Sequence, residues 1–200
     1  MRPRTGSPLS ARFCLRAGAL TFAVMVGAGA FMARAQNVHA ESVQIFERMA
    51  KVFEHPRCMN CHANADFPTQ GDDRHRHALN VMRGPDDRGA AGLHCSTCHQ
   101  SVNQAASGVP GAADWHLAPS RMAWAGLTPG QICRALFDPA HGGMKPDELI
   151  AHFDTSLVRW AWSPGSDARG QQRTPPPVDY DTFIALTKQW IATGAACLAP

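Results

Sequence analysis

Two short stretches of this chain hold residue types and spacings that could do chemistry. Residues 58–62 read Cys-Met-Asn-Cys-His and residues 95–99 read Cys-Ser-Thr-Cys-His, two complete C-x-x-C-H sequences. Two thiols about one helical turn apart can each add to a vinyl group on one edge of a porphyrin, forming thioethers. The adjacent histidine is then placed under the iron. The pattern therefore predicts two covalently bound haem c groups, attached through Cys58, Cys61, Cys95 and Cys98, with His62 and His99 as proximal iron ligands. A random chain of this composition would hold about 0.01 such matches, so a chance pair is on the order of one in ten thousand.

Zinc is the competing chemistry, because two C-x-x-C knuckles supply four thiolates. Neither knuckle needs a histidine in the next position, yet both have one. A thioredoxin-like redox motif would have to occur twice and expects a βαβ pattern that the sequence does not offer. Disulfides within each motif would leave both histidines without a role. Two further cysteines, Cys133 and Cys197, lie in or beside predicted helices. In an oxidising compartment they are a candidate disulfide closing a long loop, with free buried thiols as the alternative.

Each iron needs a second axial partner or an open position. Met122 is a candidate distal ligand because it sits in a proline-containing segment between Trp115 and Trp124 that could form a dry haem wall. His77, in the loop after the first motif, is the candidate for the other iron, with Met82 and His75 as alternatives. A loop near one motif could also serve the other haem. His/Met ligation would raise a reduction potential relative to His/His, so a mixed pair would create a downhill step between the irons.

The elements that must position these residues read mostly as helix and loop. The chain has 200 residues, 44% hydrophobic and 18% charged, which excludes collagen-like, coiled-coil and fully disordered classes. Ile45, Met49, Val52 and Phe53 form the apolar stripe of a helix over residues 40–55 that runs into the first motif. Gly, Pro, Asn and Asp then recur at short intervals up to the second motif and mark loop. Thr128-Pro129 opens a helix with Ile132, Leu136 and Phe137 on its apolar face. A shorter helix is expected over Pro146–Phe153, lined by Leu149, Ile150 and Phe153. A last one, capped near Asp179 or Asp181, should run to about Ala195 with Phe183, Ile184, Trp190 and Ile191 inward. The motifs begin too close together for two separate haem domains, so one shared fold must hold both. The macrocycles would supply apolar core that the chain lacks.

Charge and hydropathy set apart the first 35 residues. They hold Arg2, Arg4, Arg12, Arg16 and Arg34 and no acid, an apolar run from Ala17 to Ala33, and a small-x-small site at Ala33-Arg34-Ala35. This predicts a signal peptide over residues 1–35, removed after Ala35, and a mature periplasmic domain over residues 36–200 with no stable membrane anchor. An uncleaved anchor is the alternative, at the short limit of what spans a bilayer. Without the leader the chain is slightly acidic and holds no Lys/Arg stripe, so no nucleic-acid partner is expected.

The two motifs resemble those of c-type cytochromes. A longer pattern is similar to small exported dihaem proteins labelled as isoquinoline 1-oxidoreductase subunits. It comprises Gln70-Gly71-Asp72-Asp73, His77, Arg83-Gly84-Pro85, Trp115-His116-Leu117-Ala118-Pro119, Met122-Ala123-Trp124, Trp160-Ala161-Trp162-Ser163-Pro164-Gly165 and Gly194-Ala195-Ala196-Cys197. The resemblance spans nearly the whole mature chain and implies a mostly α, compact cytochrome c-like domain with long loops around two haems. It also implies an electron-transfer subunit rather than an enzyme, whose redox partner is a periplasmic molybdenum hydroxylase. Nothing in the sequence reads as a molybdopterin site. Ala78 and Leu79 are apolar in the loop where a further donor could have stood. Two other functions compete: a small dihaem peroxidase-like enzyme with one five-coordinate iron, and a structural or sensor subunit docked on a dehydrogenase.

Overall fold

The computed structural model describes residues 11–199. The chain divides into two units between Ala40 and Glu41. Every described residue of the first unit is helical, within α1 (Ala11–Phe53), and its side chains from Met32 onward are exposed. The leader expected over residues 1–35 lies partly outside the described residues, and the expected cleavage point after Ala35 falls inside α1. Among the described residues no helix is long and apolar enough to cross a membrane.

The second unit is helix and loop with little strand, the helical class that the sequence predicts. Local chemistry explains where its helices start. In α2 (Pro56–Met59) Pro56 occupies the first turn, where its missing N–H costs nothing, and the His55 ring caps the Arg57 amide. In α3 (Pro129–Ala135) the Thr128 hydroxyl accepts from the Gln131 amide while the Gln131 side chain accepts from the Thr128 amide, a reciprocal capping box. Pro146 opens α4 (Pro146–Phe153), Thr155 caps α5 (Ser156–Arg159), and Asp179 caps α6 (Tyr180–Ala192) through the Thr182 amide. The last helix stops three residues short of the expected Ala195, because Gly194 and Ala195 both take left-handed backbone. The strands form two minimal antiparallel hairpins, β1 (Thr69–Gln70) with β2 (His75–Arg76) and β3 (Gly89–Ala90) with β4 (Leu93–His94).

One aromatic core joins the second unit's share of α1 to α3, α4 and α6. Ile45, Met49, Val52 and Phe53 are all buried as their spacing predicts, and Phe46 joins them. The Phe53 ring meets Trp124 at 5.4 Å, Phe183 at 5.6 Å and Phe153 at 5.9 Å. Trp190 is 0% exposed, lies 5.1 Å from Phe46, stacks on Phe137 at 5.2 Å and donates its indole N–H to the Ala196 carbonyl. In α6 the inward residues are Phe183, Leu186, Thr187 and Trp190, whereas Ile184 and Ile191 are only half-buried. Thr187 tolerates full burial because its hydroxyl bonds the Phe183 carbonyl one turn back. Cys133, in α3, is joined to Cys197 beyond α6 by a disulfide with a Cα–Cα separation of 5.6 Å.

Trp190 closes this core with apolar area, ring contacts and a satisfied N–H together, so Trp190→Ala should lower the unfolding free energy by about 3–5 kcal/mol. Denaturant unfolding of the folded, fully assembled protein reads this directly, and a loss below about 1 kcal/mol would show that the core does not depend on it.

Candidate functional site

The two C-x-x-C-H stretches adopt the same local turn. In each, the histidine amide donates to the carbonyl of the first cysteine, His62 to Cys58 at 3.1 Å and His99 to Cys95 at 2.9 Å. The first turn continues α2, and the second is a 3₁₀ turn over Cys95–Thr97. All four cysteines are free thiols; Cys98 is exposed and the others are half-buried. Desolvation pushes the Cys58 thiol up to about 12 and the Cys61 thiol up to about 11. Cys95 adds to the Cys61 shift and Arg83 opposes it. Thiols raised in this way stay protonated at neutral pH. Among the described residues no three His, Cys, Asp or Glu side chains converge as a metal-ion site.

The histidines are held alike as well. His62 donates from Nδ1 to the Met122 carbonyl at 2.8 Å, and its ring stacks on Trp124 at 3.4 Å between centroids and 7° between planes. His99 donates from Nδ1 to the Pro110 carbonyl at 2.7 Å, and its ring stacks on Trp115 at 4.4 Å and 3°. A carbonyl can only accept, so Nδ1 carries the proton in both rings and Nε2 keeps its lone pair. Burial pushes the His62 pKa down to about 4, partly opposed by the Met122 bond, and lowers that of His99. Both imidazoles are therefore neutral at pH 7. A turn that presents two thiols beside a neutral, oriented Nε2 fits the requirements of a covalently attached haem at each motif.

A clamp of loop backbone completes the first half of the site. The His62 carbonyl accepts from the Trp124 and Ala125 amides, so the Met122–Ala125 segment grips this residue at both its ring and its main chain. Arg83, only 7% exposed, donates to the carbonyls of Ala63, Ala65 and Ala118 and to Asp87, tying the exit of the first motif to the Trp115–Pro119 segment. Arg57, also buried, pairs with Asp72 and donates to the Thr174 carbonyl. On the second half, Trp115 meets Trp160 edge-on at 4.8 Å. Asn103 receives both the Trp160 indole N–H and the Gly111 amide. Arg173 bonds the carbonyls of Gly108, Pro164 and Ser166. Trp160 and Trp162 are thus half-buried supports with paired indole N–H groups.

The candidate distal residues separate clearly. Met122 lies behind the His62 ring, because the residue whose carbonyl holds Nδ1 sits at the end of the imidazole away from Nε2. Met122 also lines a cavity of about 10 Å³ with Trp124, Met144 and His152, so this placement lends no support to Met122 as the sixth ligand of that iron. His77 lies beside the second motif, its ring centroid 5.9 Å from that of His99. His75 has both ring nitrogens engaged, by Asp73 and Gln70, and the Met82 sulfur accepts from Arg76. His116 and His141 bond Asp114 and Asp138. The sequence did not mark Arg83 as buried, nor Trp115 and Trp124 as the stacking partners of the two histidines. An arginine beside Gly-Pro reads only as a turn, and two tryptophans that could wall a haem do not show which histidine each stacks on. Comparisons with family models, curated proteins and solved structures return no match to this chain.

Arg83→Met keeps the length of the side chain but takes the donor from the buried Ala63 carbonyl, the half-buried Ala65 and Ala118 carbonyls and Asp87, so it should cost about 3–5 kcal/mol of stability. Arg88→Met, which removes only the exposed pair with Asp114, should leave the unfolding midpoint unchanged. Equal midpoints for the two variants would show that Arg83 does not hold the site together.

Proposed function

We propose that this chain is a periplasmic dihaem c-type cytochrome that relays single electrons between an exported oxidoreductase and an acceptor. The observation that supports it best is the duplicated geometry: two C-x-x-C-H turns, each with a neutral histidine held by a carbonyl at Nδ1 and flattened against a tryptophan. Haem c, when bound, supplies the one-electron Fe(III)/Fe(II) couple. Cys58, Cys61, Cys95 and Cys98 would hold the two groups, and His62 and His99 would ligate their irons. The chain's task is to fix ring orientation, exclude water and keep the two centres close. A molybdenum hydroxylase as electron donor rests on the sequence resemblance alone, and substrate chemistry belongs to that partner.

A relay with two six-coordinate irons should titrate with two one-electron reduction waves, bind no carbon monoxide when reduced and turn over no hydrogen peroxide. Spectroelectrochemistry of the assembled protein with both additions tests this. Stoichiometric carbon monoxide binding together with peroxide turnover would replace the relay by the peroxidase-like enzyme.

A further inference from the structure

We propose that His77, carried by the loop after the first attachment motif, is the sixth ligand of the iron bound by His99 of the second motif. The inference rests on the dihaem reading and adds to it a specific cross-link between the two halves of the site. The His77 and His99 rings lie 5.9 Å apart between centroids with their planes at 70°. Two imidazoles on opposite sides of one iron, with metal–nitrogen bonds of about 2 Å and each centroid about 1 Å behind its nitrogen, would be separated by about 6 Å. Both rings also have Nδ1 occupied by a backbone carbonyl, Ala78 for His77 at 2.8 Å and Pro110 for His99 at 2.7 Å. Each therefore keeps only Nε2 for another partner.

The loop is built to present this one side chain. Between Asp72 and Asn80 every residue is exposed except His77, which is half-buried. Its amide donates to the Pro68 carbonyl, and the next amide donates to the Gln70 side chain, so the hairpin of β1 and β2 fixes its position. Beyond it, Leu79 and Asn80 take left-handed backbone at φ 60° and 50°, and Leu79 is left 74% exposed. A leucine in that region is strained, and such strain persists where a neighbouring contact gains from it. Competing donors in this loop are already engaged: His75 by Asp73 and Gln70, and Met82 by Arg76.

The test uses the full chain matured with haem, the haem-to-protein ratio, and low-temperature electron paramagnetic resonance of the ferric protein. His77→Ala should retain both haems, lose one of the two low-spin signals, gain a high-spin signal and bind one equivalent of carbon monoxide when reduced. His75→Ala should leave both low-spin signals in place. His77→Met keeps a donor at the position and should give one iron the charge-transfer band of methionine ligation, which serves if the alanine variant does not accumulate. In a Cys95→Ala/Cys98→Ala background, which removes the second haem, His77→Ala should change nothing further. Two haems with unchanged low-spin signals in His77→Ala, or a change that persists in that background, overturns the cross-ligation and leaves the dihaem reading standing. A chain with no covalent haem overturns that reading and the cross-ligation with it.

Discussion

The bond from each motif histidine to a backbone carbonyl fixes one tautomer, and the rest of the site is organised around keeping that bond in place. An imidazole free to rotate could present either nitrogen. One held at Nδ1 by Met122 or Pro110 and pressed against Trp124 or Trp115 presents only Nε2, in one direction. The carbonyls come from loops, Met122 sixty residues beyond His62 and Pro110 eleven beyond His99, so the orientation of two side chains depends on the folding of segments with almost no regular structure of their own.

Side chains do the work there that ladders do elsewhere. A loop-rich middle leaves backbone groups without partners, and a buried carbonyl left unpaired is costly. Arg83, Arg57, Arg173 and Asn103 reach across the loops and satisfy those groups, each bridging segments distant in sequence. Beneath them the aromatic core reaches from Phe46 and Phe53 of α1 to Phe183 and Trp190 of α6. Trp124 belongs to that core through Phe53 and to the site through His62, so packing and ligand orientation share one residue.

Local signals were legible and long-range ones were not. Thr128-Pro129, Pro146 and Asp179 mark helix starts because caps and prolines act within one turn, and each opens a helix where its chemistry requires. The Ile45, Met49, Val52, Phe53 stripe is periodic and buried, but Phe46 escaped it because more than one element packs on α1 and widens its apolar face. The helix Ser156–Arg159 and its 3₁₀ continuation are too short for their apolar residues to establish a period. C-x-x-C-H is a contiguous pattern and therefore visible. The partners of its histidines, Met122 and Pro110, are carbonyls, which every residue has, so sequence cannot single them out. His77 beside His99 is a meeting of two loops, which has no period to detect.

The most direct test of the central claim is the mass of the protein recovered from a bacterial host that matures c-type haem, measured intact and after proteolysis. The expected result is a chain carrying two haems, one on the peptide containing Cys58 and Cys61 and one on that containing Cys95 and Cys98. A chain without added haem, with those four thiols open to alkylation, would contradict it.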